Sequence, residues 1–393
     1  MKRWKFCQFV LICLALEFAV PQSLWAHGTL SDQTAAIPLH ISVKFAPTPV
    51  LAEGQWHIIY ELNISNTGKR NLQLQKLEIL DESTDKVMQT ISGDTLIAAL
   101  ARPGTHNTPD PASIEAGMQT IVFIDLQGDQ ETPPPQVLYH RLGFTPIDGS
   151  IKEQNIVSSG TLRINPTPPV VLAAPLRGGN WLASHGLSNT SSHRRSLLTI
   201  NGPTTIAQRY AIDWTQIGDD GQIFRGDPAK NSNWTPYNAD VLAVANGRIV
   251  EVLDGLPEND PTSDTKAIAI NYDNAPGNHI VMDIGQGHFV LYAHLKPASL
   301  LVHVGDLVSQ GQILASLGNS GKADAPHLHF QVMDGPSPLG SEGLPFVFAT
   351  FTLQGHVSSL GIFVDGTGWH ATKPPVRRHD EIPIENAVVD FSN

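Results

Sequence analysis

Cysteine is nearly missing from this sequence. Its two copies, Cys7 and Cys13, both fall near the start, inside a stretch that reads as an export signal. Lys2, Arg3 and Lys5 give a basic beginning, residues 9–20 an apolar run, and Leu24-Trp25-Ala26 a small-residue cleavage point. The run is short for a bilayer and is ended by Pro21, so cleavage is the expectation and an uncleaved anchor the alternative. Lipid attachment at Cys13 is excluded, because Ile12 stands where a small residue is required. The mature chain would then hold no thiol and no disulfide, which removes a cysteine nucleophile and thiolate ligands. Apolar cores or a metal must hold it together, and His, Asp and Glu are left as zinc-type ligands.

Positive charge is also scarce. Lys and Arg number 25 against 37 Asp and Glu, for a net charge of −12. Beyond the leader no basic run is longer than a pair such as Arg377-Arg378, so nucleic acid is not an expected partner. No long apolar segment follows the leader, and no integral membrane span is expected in the mature chain. What is plentiful is turn-forming residues. The 29 prolines and 33 glycines separate many short Val/Ile/Leu-rich runs, which points to mostly β structure. A chain of 393 residues exceeds one ordinary core and implies two domains.

Residues 27–165 read as a β-sandwich of immunoglobulin-like type, with alternating strands at 39–45, 56–66, 72–80 and 120–126. His57, His106 and His140, among the histidines there, are scattered and read as structural or exposed. Residues 166–182 open on Pro166-Thr167-Pro168-Pro169 and read as a stiff extended linker. A second β domain is expected at 183–355, with a tail at 356–393 wrapping the surface and ending in a strand at 387–391.

Within the second domain, residues 208–214 place Tyr210, Ile212 and Trp214 on one strand face and the lone carboxylate of Asp213 on the other. Residues 239–252 predict a hairpin about Asn246-Gly247, and 302–314 a Gly-punctuated strand pair. Alternation along 288–295 puts Val290, Tyr292 and His294 on one face. The polar loops 215–238 and 254–265 are long enough to wall a cleft. In Ala325-Pro326-His327-Leu328-His329-Phe330, both histidines face one way and Leu328 and Phe330 the other. Such a pair suits a site where one imidazole ligates a metal and the other handles protons. A catalytic zinc needs three protein ligands and an open position. Asp213 and His329 are candidates for two of them, and the third histidine must come from elsewhere in the chain.

Taken in order, Val244-Ala245-Asn246-Gly247-Arg248-Ile249-Val250, Gly277-Asn278-His279-Ile280-Val281, Tyr292-Ala293-His294-Leu295, Val304-Gly305-Asp306-Leu307-Val308, Gly318-Asn319-Ser320-Gly321 and His327-Leu328-His329-Phe330 resemble the lysostaphin-type (LytM-like) zinc metallopeptidases. The resemblance covers about residues 192–330. It implies a two-layer antiparallel β domain with a narrow groove. It also implies zinc held by His193, Asp213 and His329, with His294 and His327 as the catalytic pair. The implied activity is peptide-bond hydrolysis by an exported endopeptidase, with bacterial cell-wall peptidoglycan or another peptide as substrate.

The family joins its first His and Asp in a His-x-x-x-Asp segment, whereas His193 and Asp213 stand twenty positions apart. His185 is therefore the rival first ligand. His279, His288 and His303 fall at positions the family does not use for metal. The roles of His294 and His327 stay open between base and acid. Two other readings are a non-catalytic envelope module of the same fold, and a lipoyl-type carrier. The carrier would need a lysine at a hairpin tip, for which only Lys322 is near, and it leaves the histidines without a purpose.

Overall fold

Strands such as Gln55–Asn66 are set by alternation, and here both sides of the alternation are apolar at the centre. Tyr60, Leu62 and Ile64 face one core while Ile59 joins another. Burial on both faces is what a near-continuous apolar run encodes. The computed structural model describes residues 38–103, 110–148, 155–200, 202–364, 366–371 and 373–391. The leader at 1–26 and His106 lie outside the described residues.

In the N-terminal half, two antiparallel five-stranded sheets share one core. The first runs Leu39–Val43, Gln55–Asn66, Gln119–Asp129 and Leu100–Ala101, with Val50–Ala52 added on Gln55–Asn66. The second runs Asn155–Arg163, Val137–Pro146, Leu72–Asp81 and Lys86–Ser92, with Ser113–Ile114 added on Leu72–Asp81. Ile58, Leu62 and Ile124 from one sheet meet Leu77, Ile79 and Leu142 from the other. His140 is sealed inside this half, its ring nitrogens paired with the Tyr60 hydroxyl at 2.8 Å and the Gly160 carbonyl at 2.6 Å. His57 is buried against Asp125 at 3.0 Å. Both are structural, as their scatter predicts.

The C-terminal half is built on a ten-stranded antiparallel sheet in the order Leu307–Val308, Gly247–Leu253, Asn278–Gly285, His288–Leu295, Leu328–Met333, Ile212–Gln216, Gly178–Ser184, Ala387–Phe391, Phe351–His356, Val376–Arg378. Trp214, Tyr292, Leu328, Phe330, Phe346, Phe348 and Phe391 pack together beneath it. Mostly β structure with antiparallel sheets is thus what the short apolar runs and turn residues encode. No helix among the described residues is long and apolar enough to cross a membrane.

Several local expectations differ from the structure. The expected hairpin about Asn246-Gly247 does not form, and neither does the strand pair within 302–314. Asp240–Leu242 pairs with Ile313–Ser316, and Gly247–Leu253 pairs with Leu307–Val308, so the two segments exchange partners. The linker is not free either: Val170–Leu172 lies parallel to Phe346–Phe348, and Gly178–Ser184 is an interior strand. The tail wraps the surface only in part: the described residues of 358–380 are largely exposed, and the chain then turns inward. Ala387–Phe391 inserts between Gly178–Ser184 and Phe351–His356 with Val388 and Val389 fully buried, as an apolar run with two unpaired sheet neighbours must be. Residues 38–393 accordingly form one compact unit.

Candidate metal centre

Three adjacent strands set the site. Asp213 on Ile212–Gln216 lies directly opposite His329 on Leu328–Met333, and Ala293 on His288–Leu295 flanks His329 on its other side. Asp213 and His329 share a face because cross-strand partners do. Ile212, Trp214, Leu328 and Phe330 occupy the opposite face and enter the core.

His294 should follow Val290 and Tyr292 into that core, and it does not. The register between Asn278–Gly285 and His288–Leu295 slips by one residue here, and His294 takes a left-handed φ of 61°. This bulge re-aims the imidazole to the Asp213 face, where its centroid lies 4.8 Å from that of His327 and 5.8 Å from that of His329. A non-glycine residue holds such a conformation at a cost of about 1–2 kcal/mol, so the surroundings must enforce it. They do so through Nδ1 of His294, which donates to the Ser320 carbonyl at 2.8 Å. Ser320 is itself clamped by Gly277, where a Cβ would stand 2.5 Å from the Ser320 carbonyl oxygen, which explains the glycine before Asn278. His327 is fixed in the same manner, donating Nδ1–H to the Ala325 carbonyl at 2.8 Å. Both imidazoles therefore turn Nε2 toward the cleft.

His193 arrives from the insertion between Gly178–Ser184 and Ile212–Gln216. Its Nε2 lies 3.2 Å from Asp213 Oδ2, and its ring stands edge-on to His329 at 4.8 Å between centroids. One ligand-type atom from each of His193, Asp213 and His329 lies within 4.8 Å of the other two. His185 sits one layer out, 5.3 Å from the His193 ring, with Nδ1 3.3 Å from the Ser192 hydroxyl.

Whether this triangle suits a cation can be judged from His329. Gln331, two residues on and 1% exposed, sends its amide nitrogen to the Pro338 carbonyl at 2.9 Å. Only its oxygen is left to face His329 Nε2, at 2.8 Å, so that nitrogen must carry the proton. A neutral His329 then turns a lone pair on Nδ1 toward Asp213 Oδ1 at 2.8 Å, acceptor against acceptor. A second proton or a metal cation on Nδ1 resolves the conflict, and two imidazole nitrogens with one carboxylate oxygen is a donor set zinc accepts. The residues fit a metal.

The Asp213 carboxylate dominates the electrostatics of the site. Burial opposes the charged form of Asp213, yet the His193 and His327 imidazoles hold its carboxyl well below the usual range. Burial lowers His193 and His327, and Asp213 outweighs it, so both end above an ordinary histidine. Burial, followed by His327 and His329, pushes His294 well below 6.5.

These groups line a cleft of about 1010 Å³. Loop 215–238 contributes Ile223, Phe224 and Trp234 to its wall, as its length predicts. Loop 254–265 does not line it; Asn259 there is buried and braces the Gly321 and Ala323 carbonyls at 2.9 and 3.0 Å. The opposing wall comes from Ile270 and Tyr272, with Phe363 from the tail. Lys322 is also a wall residue, not a carrier lysine at a hairpin tip. Gln331 and the Ser320 carbonyl escaped sequence reasoning. Two-residue spacing after His329 was the signal for Gln331; the Gly318-Asn319-Ser320-Gly321 turn marked Ser320 as a motif residue and not as the acceptor for His294.

The model of Peptidase family M23 matches residues 234–340. The peptidoglycan DD-endopeptidase ShyB of Vibrio cholerae serotype O1 is 36% identical over 72 residues, 18% of this chain and 16% of that protein. Endolysin 2638A of Staphylococcus phage 2638A is 32% identical over 127 residues, 30% of this chain and 26% of that protein. The chain thus spans 16% and 26% of the length of these relatives. Among solved structures, the catalytic domain of lysostaphin from Staphylococcus simulans is similar at 26% identity and a TM-score of 0.22, covering 37% of this chain and 80% of that one. His294, His327 and His329 fall within the matched residues, and His193 and Asp213 precede them. The chain carries a peptidase family M23 domain at residues 234–340.

Proposed function

We propose that this protein is an exported zinc-dependent endopeptidase that cuts peptide bonds of bacterial cell-wall peptidoglycan. The observation that carries the reading is the convergence of His193, Asp213 and His329 to within 4.8 Å, at the cleft and beside the His294–His327 pair. The peptidoglycan DD-endopeptidases among its relatives support the substrate class. The basic and apolar leader supports export.

His193, Asp213 and His329 would hold the ion, and Gln331 would keep His329 Nδ1 free of a proton. When bound, zinc would supply Lewis acidity and bring the pKa of a coordinated water toward ~7. His294 is held neutral by burial and its imidazole neighbours, so its Nε2 takes the proton from the attacking water. His327, its Nε2 3.5 Å from Asp213, is placed across the cleft to give a proton to the leaving amine. The apolar walls exclude water from the scissile bond, which strengthens every charge interaction within the cleft.

Digestion of purified peptidoglycan by the mature protein, with product masses read with and without chelator, tests this. The expected products are muropeptides shortened by hydrolysis of one peptide bond, absent with chelator. Zinc uptake without any cleavage would overturn the enzyme and leave a binding module.

A further inference from the structure

A short His-x-x-x-Asp segment fixes its own geometry, because so few residues have little freedom to lose. Here residues 194–212 intervene, and among the described ones the only strand pairing within the segment is the two-residue match of Leu198–Thr199 with Thr204–Thr205. Something outside the insertion must order it before His193 can face Asp213. At the position four residues before Asp213 stands Arg209, not a histidine.

The ordering contacts come from the N-terminal sandwich. Arg194, adjacent to His193 and 1% exposed, pairs with the carboxylate of Glu61 on Gln55–Asn66 and donates to the Tyr60 carbonyl at 3.0 Å. Arg209 pairs with the same Glu61 and with Glu342, which follows the strand that bears His329. Arg195 reaches the Ala98 and Leu100 carbonyls and lies over the Phe123 ring at 4.9 Å. Asn189 donates to the Phe123 carbonyl at 2.9 Å, and Ile206 packs with Ile121 and Phe123. Glu61 shares its strand face with Ile59, the side turned toward the C-terminal core.

We propose that the sandwich is part of the scaffold of the metal centre: Glu61, acting through Arg194 and Arg209, is a positioning residue that sets His193 against Asp213. The inference rests on the reading of His193 as a ligand. Two buried guanidiniums converge on one carboxylate, a joint that fixes the loop because Arg194 cannot withdraw from Glu61 without leaving its own charge buried and unpaired. The front half of the chain thereby controls how tightly the ion is held, without touching it.

The test uses the full chain and zinc alone. Glu61→Gln keeps the shape and removes the charge. Arg195→Ala cuts the loop's second anchor and buries no orphaned charge. Ile79→Val, in the far sheet of the sandwich, lowers thermal stability without approaching the loop. Zinc dissociation constants come from competition with a chromophoric chelator, well below each melting temperature, and trypsin cleavage after Arg194 or Arg195 reports loop release. The expected result is zinc binding weakened roughly 10- to 100-fold in Glu61→Gln and Arg195→Ala, the range typical of outer residues around a metal. Trypsin cleavage should appear in both, and Ile79→Val should match the wild type. Wild-type affinity in the two loop variants, or equal weakening in Ile79→Val, overturns the inference and leaves the metal reading standing. A wild-type chain that takes up no zinc overturns both.

Discussion

Replacing Gln331 by methionine isolates the contact that, on the proposed reading, leaves His329 Nδ1 free for a metal. The side chain is buried, and methionine fills nearly the same volume, so the packing change costs less than about 1.5 kcal/mol and falls on the folded apoprotein. What is lost is the acceptor for His329 Nε2–H, at 2.8 Å in the intact site. Leaving that buried donor unpaired costs about 1–3 kcal/mol. The protein can escape by moving the proton to Nδ1, which then donates to Asp213 Oδ1 across the existing 2.8 Å gap. That tautomer satisfies the apoprotein and blocks the metal, because the proton occupies the lone pair a cation would use. Zinc binding should weaken by the same 1–3 kcal/mol, about 5- to 150-fold. Competition against a chromophoric chelator at neutral pH measures it, with the apoprotein's urea midpoint measured separately. At saturating zinc the variant should recover most of its hydrolysis. A Gln331→Met protein that binds zinc as tightly as the wild type refutes the argument that Gln331 selects the tautomer.

Other outcomes follow from the same geometry. Alanine at His294 or His327 should leave zinc content near wild type and lower kcat/KM by about 10²- to 10⁴-fold, the usual worth of a general acid or base; equal loss of metal would move that residue into the ligand set. His140 is pushed by burial to about 4 from an ordinary 6.5. The unfolded chain therefore binds a proton between those values that the folded chain refuses. Stability from this group is complete above about pH 6.5 and falls as the pH drops toward 4, by up to ~3 kcal/mol. Urea unfolding of the wild type and His140→Gln across pH 4–7.5 reads the difference, and parallel curves would refute it.

The legible part of the site is the part written in strand alternation. His327 and His329 face Asp213 because period two puts them there, and the apolar residues between them mark the core side. Asp213 stood out as the carboxylate opposite Tyr210, Ile212 and Trp214. Alternation failed at His294, where one inserted residue reverses the face, and a bulge leaves no mark in apolar patterning. Pairing failed where partners lie far apart: residues 239–252 looked like a hairpin because Asn-Gly is a strong turn signal, yet each arm found a distant strand. The strand at 387–391 was legible as a strand and not as an interior one. Glu61 was invisible as a partner of the site, being one polar residue in a half-polar strand more than a hundred residues from the arginines it holds.

The most direct measurement is metal content. Mature protein purified without chelator should carry about one zinc per chain, the number a single catalytic site holds, and Asp213→Ala and His329→Ala should carry essentially none while remaining folded. Zinc retained in full by both variants would place the ion elsewhere and contradict the account.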